Sequence, residues 1–226
     1  MIQELDQILP HLDELPIFPL PSAVLLPFEM LPLHIFEPRY REMITDVLEA
    51  ERPLAIAQLS SGWEGSYEGR PPVERICGVG VVSRSERLPD GRFNILLRGM
   101  ARVEILEELP PRKAYREVRA RLLNDNFSRI PLAEMSGDME SVRRMLFALC
   151  AARPGPAASA LAQLAARATT PSALADIIAA ALFSEVERRH KALVTLDAAD
   201  RLSLAQSAIA ELLVNVSPTQ ETRYRN

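Results

Sequence analysis

Lysine is nearly missing from this chain of 226 residues: Lys113 and Lys191 are two of 26 cationic residues, and the other 24 are arginine. A lysine nucleophile or base therefore has two candidates. Lys113 stands in a ProProArgLys loop and Lys191 in the charged run ERRHKAL, and neither setting would depress an amine. Histidine is also scarce. His11, His34 and His190 show no i, i+4 pair, and the two cysteines form no CxxC, so the clustered ligands of a structural zinc site are not there and no metal is expected. Cys77 and Cys150 stand far apart in apolar runs, which reads as free buried thiols; a single disulfide stays open, but a disulfide scaffold does not. No glycine-rich stretch ends in Gly-Lys, and the GxG of Gly78 and Gly80 lacks its third glycine, so no nucleotide cofactor is expected. GxSxG is absent. A scattered Ser-His-Asp site would depend on His34, beside Glu37 and Arg39, whose simpler reading is a polar network at a helix start. No apolar run reaches the length of a membrane span. The acidic opening MIQELDQILPHLDELP has neither the basic start nor the apolar stretch of a signal peptide. The expectation is a cytoplasmic protein without membrane contact. A net charge of -4 argues against a nucleic-acid partner.

What is present is an ordinary globular balance, 48% apolar and 25% charged, over a length that suits one large domain or two small ones. The character changes near residue 128. Residues 1–127 carry 15 basic and 20 acidic residues and are rich in proline, valine and isoleucine; residues 128–226 carry 11 and 10 and are rich in alanine and leucine. A β-rich domain over 1–127 and an α-helical domain over 128–226 follow. Prolines at 16, 19, 21, 27, 32 and 38 forbid a helix through the opening block and leave short extended pieces. Pro38 suits the first position of a helix whose apolar face is Tyr40, Met43, Ile44, Val47 and Leu48, ending near Ala50. Strands are expected at 54–59 and 75–84. Asp90-Gly91 between apolar segments reads as a type I′ hairpin turn, with Gly99 dividing the following segment into two strands. Short strands with proline-marked edges and one helix imply a small closed or half-closed barrel. Beyond it, helices are expected over 131–152 and 157–168. A third is capped by Thr170, a fourth by a Ser184–Glu187 capping box, and a last by Asp197.

Three stretches carry a family resemblance: LPIFPLPSAVLLPFEMLPLHIFEPRYREM, LPDGRFNILLRGMARVEI, and PSALADIIAAALFSEVERRHKALVTLDAADRLSLAQSAIAELL. In this order they resemble the N-terminal substrate-recognition region of Lon proteases, over most of residues 12–213. The resemblance implies an α+β fold, a PUA-like β-barrel (a pseudobarrel) followed by a C-terminal α-helical bundle. It implies recognition of unfolded or degradation-marked polypeptides, with a protease or chaperone as a further partner. The Lon ATPase module and the Ser-Lys protease module have no counterpart in these residues, so a stand-alone, non-catalytic module is expected. Pro32, His34, Phe36, Glu37, Arg39, Tyr40, Asp90 and Gly91 read as structural parts of the motif. Phe28, Met30 and Leu31, in a non-helical segment, are candidates for apolar peptide contacts. So are Trp63 and Tyr67, aromatics on a loop of glycine, serine and proline. The alternative is a PUA-like module for a small ligand or RNA, which the cluster Arg112, Lys113, Arg116, Arg119 and Arg121 keeps open.

Overall fold

The structure is a computed structural model that describes residues 5–66, 69–127 and 129–216. Its strands are β1 (Leu15–Leu20), β2 (Met30–Ile35), β3 (Leu54–Gln58), β4 (Ile76–Arg87), β5 (Phe93–Glu108) and β6 (Arg116–Leu123). Its helices are α1 (Pro38–Glu49), α2 (Ser136–Ala152), α3 (Pro156–Arg167), α4 (Pro171–Leu182), α5 (Val186–Val194) and α6 (Ala198–Val216). The chain divides into two compact units, Met1–Asn124 with Ser184–Leu196, and Asp125–Phe183 with Asp197–Asn226. The helix α5 thus groups with the strands.

In the first unit the sheet runs β2-β5-β4-β3-β1-β6, and a further β5–β6 pairing closes β5, β4, β3, β1 and β6 into a barrel with β2 outside it. β1 and β3 are parallel and the other pairs antiparallel. Side chains alternate across a strand with period two, and here the two faces feed two cores. Leu15 and Ile17, Ala55 and Ala57, Cys77 and Val79, Val103 and Ile105, and Val118 and Ala120 meet in one cluster. Phe18, Leu54, Ile56, Phe93, Ile95 and Leu97 face the other way, onto Tyr40, Met43, Ile44 and Val47 of α1. Pro38 occupies the first turn of α1 as its sequence position predicts.

Two local readings need correction. Asp90-Gly91 is not a type I′ turn: Gly91 has φ +81, but Asp90 is not in the left-handed region. Pro89 fixes its own φ near -65°, which suits the first central position of a type I turn, so the turn is centred on Pro89 and Asp90. The loop closes instead through Gly91 N–H to Leu88 O and Leu88 N–H to Arg92 O, with the glycine last. Nor does Gly99 end a strand. β5 runs unbroken from Phe93 to Glu108, with a register shift opposite Gly99 where β4 passes from Val79 to Gly80. The glycines here serve close approach. A Cβ on Gly78 would lie 1.8 Å from Leu25 O, and one on Gly99 would lie 2.0 Å from Leu26 O. The buried segment Val24–Leu26 therefore lies directly on the sheet, which accounts for the GxG without any phosphate.

In the second unit α2, α3, α4 and α6 share one apolar cluster that includes Met135, Leu146, Leu174, Ile178, Leu202 and Ile209. Thr170 Oγ1 caps α4 by accepting from Ala173 N–H at 3.1 Å, and Asp197 Oδ1 accepts from Ala199 N–H at 3.0 Å. Ser184 makes no cap: α5 begins at Val186 after Glu185 and has no side-chain cap. The fully buried Arg201 side chain pairs with Asp125 and Asp176.

Candidate functional site: the outer strand and the turn before it

The approach to β2 is a tight turn, Leu26-Pro27-Phe28-Glu29, closed by Glu29 N–H to Leu26 O at 3.2 Å. Proline at its second position and a left-handed third position are the requirements of a type II turn. The third position is Phe28, with φ +67, where glycine is the usual occupant. A bulky L-residue held there costs roughly 1–2 kcal/mol. Two further bonds fix it: Phe28 N–H to Gly99 O at 3.0 Å, and Gly99 N–H to Glu29 O at 2.9 Å. Phe28 and Glu29 thus oppose the single residue Gly99, as in a β-bulge whose first residue is left-handed. Behind the turn, the Glu29 carboxylate accepts from Leu26 N–H at 2.9 Å and from Arg189 of α5. Arg189 also donates to Val24 O at 2.9 Å. This ion pair is largely shielded from solvent, where charge-assisted bonds count for more than at an open surface. The strained turn is therefore held from both sides, and the Phe28 ring stands 45% exposed.

β2 continues the display. Leu31 and Leu33 are half-buried and pack on the α1-side core, and Ile35 is buried. The alternate residues Met30, Pro32 and His34 are exposed. Met30 is 45% and Phe36, just past the strand, 60% exposed. The strip ends in a polar brace. His34 Nδ1 lies 2.8 Å from Asn94 Oδ1, while Asn94 Nδ2 donates to Glu86. Nδ1 is thereby the hydrogen-bearing nitrogen, and Nε2 faces the Arg92 guanidinium at 3.4 Å. The Phe36 ring stacks near the imidazole at 6.3 Å. Arg92 in turn grips Asp90 at 2.6 Å, and this bond holds the Asp90 carboxyl below its ordinary range.

Phe28, Met30 and Phe36 are each exposed, in the turn before β2, at its first residue and just past its end. Leu31 shares the strand but points to the core. Trp63 lies half-buried in the 3-10 turn Trp63–Ser66, in the connection between β3 and β4, which stand three and two places from β2 in the sheet order. Tyr67 lies outside the described residues. Glu37 and Arg39 pair with each other at 2.9 Å, Arg39 covers the Tyr40 ring, and Tyr40 packs on Phe18 of β1 at 4.3 Å. Sequence reasoning missed the Glu29–Arg189 lock, whose partners are 160 positions apart. Phe36, read from the sequence as part of the structural motif, is exposed.

The basic cluster has a different fate. Arg112 pairs with Glu14 at 3.8 Å, Lys113 with Asp46 at 2.9 Å, Arg116 with Glu108 at 2.7 Å, Arg119 with Asp13 at 3.3 Å, and Arg121 with Glu104 at 2.6 Å. Each cation of the cluster thus lies within 4 Å of a carboxylate, and the pairs of Arg112, Arg119 and Arg121 are at the surface. Among the described residues there is no group of three or more His, Cys, Asp or Glu that could hold a metal, and no helix is long and apolar enough to cross a membrane.

The closed five-stranded barrel with an outer strand, followed by helices, is a fold shared with solved Lon N-terminal domains. The N-terminal domain of a Mycobacterium avium complex Lon protease superposes with a TM-score of 0.67 at 20% identity, over 88% of this chain and 99% of that one. A Lon N-terminal domain protein from Xanthomonas campestris superposes at 0.58 and 18% identity, over 86% and 97%. In sequence, a Lon protease of Roseiflexus castenholzii is 29% identical over 188 residues, which cover 83% of this chain. Residues 14–211 match the ATP-dependent protease La (LON) substrate-binding domain, and the chain belongs to that family. It spans about 23% of the length of the curated Lon proteases it matches.

Proposed function

We propose that this protein binds non-native polypeptide through a ridge of Phe28, Met30 and Phe36, without catalysis of its own. The observation that carries the reading is Phe28: an aromatic residue kept at an unfavourable backbone angle by a turn locked from both sides, with its ring left in solvent. Strain of this kind persists where the surroundings over-determine it, and it collects at binding sites. Membership of a substrate-binding domain family supports the same partner class. In this reading the protein works in the cytoplasm, the β-rich part ends near residue 127, and a protease or chaperone receives the bound chain. The ATPase and Ser-Lys chemistry of Lon proteases is carried by no residue described above. A small-ligand or RNA role is disfavoured by the carboxylate pairing of every cation in the basic cluster.

The test is fluorescence anisotropy of a labelled, permanently unfolded polypeptide titrated with the protein, with a natively folded competitor and a single-stranded RNA as controls. Saturable binding of the unfolded chain alone is expected. Phe28→Ala or Phe36→Ala should weaken it by about tenfold, the effect of losing one aromatic anchor of about 1.4 kcal/mol. Trp63→Ala should leave it unchanged. Binding that survives both ridge variants and is lost with Trp63→Ala would move the site to the β3–β4 loop.

A further inference from the structure

The outer strand leaves one question open, because an exposed edge can capture polypeptide by adding a strand. β2 pairs with β5 in the register Met30↔Arg98 through Ile35↔Phe93. The bond from Gly99 N–H to Glu29 O sets the phase of this ladder. Hydrogen-bonded and non-bonded pairs alternate in an antiparallel ladder, so Leu31, Leu33 and Ile35 bond to β5. The main-chain groups of Met30, Pro32 and His34 point to the other edge, with which no strand pairs among the described residues. The middle residue of that edge is proline. It has no N–H to offer, and its ring occupies the place where a guest strand would accept one. The edge retains two donors, at Met30 and His34, separated by a blocked position.

We propose that Pro32 closes the free edge of β2 to strand addition, so that the ridge takes non-native polypeptide through its apolar side chains and not through a main-chain ladder. The inference rests on the function proposed above and narrows it. The partner is recognised by exposed aromatic and aliphatic side chains, in any backbone conformation that presents them. The same proline keeps an apolar edge from pairing with a second copy of the chain, a role proline commonly has on edge strands.

Two measurements test this. The first is anisotropy with a short peptide rich in phenylalanine and leucine, in an ordinary form and in a form N-methylated at alternate residues. N-methylation removes ladder donors and keeps every side chain. The natural protein should bind both forms within about threefold. If a ladder were used, the loss of two of its bonds would cost on the order of tenfold or more. Pro32→Val supplies the missing N–H on a residue suited to strands, and it should make binding sensitive to the methyl groups. The second measurement is sedimentation velocity over a concentration series. Pro32→Val should self-associate where the natural protein does not, and Pro32→Ala, checked for native circular dichroism, repeats the comparison with less bulk. Discrimination between the two peptides by the natural protein overturns the proposal. So does a Pro32→Val variant that stays as monomeric as the natural protein. If the natural protein binds neither peptide, the polypeptide-binding function fails, and self-association alone then decides the role of Pro32.

Discussion

Phe28 opposes stability to display. Its left-handed φ of +67 would suit glycine, yet glycine has no ring to present. Two substitutions separate these terms. Phe28→Gly removes the ring and relieves the strain, whereas Phe28→Ala removes the ring and keeps it. The glycine variant should melt at or above the alanine variant, by about 2–4 °C for each kcal/mol of strain in a chain of this size. Thermal scans by circular dichroism decide the order, and an alanine variant that melts higher would show that the turn carries no strain. None of this was legible in PFEM alone. Proline excluded a helix, but the sign of φ at the next residue depends on the bonds made to Gly99, 71 positions away.

Elements were read best where a local rule dominated. Pro38 at the start of α1 and Thr170 at the cap of α4 act through neighbours within one turn. The hairpin at Asp90-Gly91 was placed correctly but mistyped, because Pro89 overrides the Asp-Gly preference. The tie between α1 and the β5–β6 loop was not legible in the sequence. Tyr115 OH donates to Asp46 at 2.7 Å, and Lys113 Nζ donates to Tyr115 OH at 2.6 Å and to Asp46 at 2.9 Å. The Tyr115 hydrogen bond holds the Asp46 carboxyl below its ordinary range, while burial pushes the Tyr115 phenol up to about 12. A phenol whose value is raised on folding stabilises fully below its unfolded value of about 10. That contribution is lost as pH rises through the folded value. The melting temperature should therefore fall between pH 10 and 12, and Tyr115→Phe should remove part of that fall. Parallel curves for the two proteins would assign the alkaline loss to other groups.

At the scale of the whole molecule, the unit built on the strands is discontinuous in sequence, because α5 joins it from beyond α4. The connection is specific. Arg102 of β5, 5% exposed, donates from Nε to Leu193 O at 2.8 Å and from Nη2 to Ala192 O at 3.2 Å. It thereby satisfies carbonyls at the end of α5 that the helix itself leaves open. A chain cut after residue 127 loses these acceptors and the Arg189–Glu29 pair. The cut also removes the packing of α5, including buried Ala192 and Leu193, so the cut chain should melt well below the full-length protein or fail to fold. Equal melting of the two would show that α5 is dispensable to the barrel.

The sequence by itself determined the strand and helix content, the α+β order of the chain, the position of the α1 start and the family to which the chain belongs. The elements follow from hydrophobic period, proline placement and capping residues, all of which act over a few positions, and the family from the resemblance of three long stretches. Tertiary structure decided that α5 groups with the barrel, that the cations of the basic cluster lie beside carboxylates, and that Phe28, Met30 and Phe36 are exposed while Leu31 packs on the core. Each of those outcomes depends on which distant carbonyl, carboxylate or glycine the fold brings within bonding distance. A sequence states the donor, and only closure of the barrel selects its acceptor.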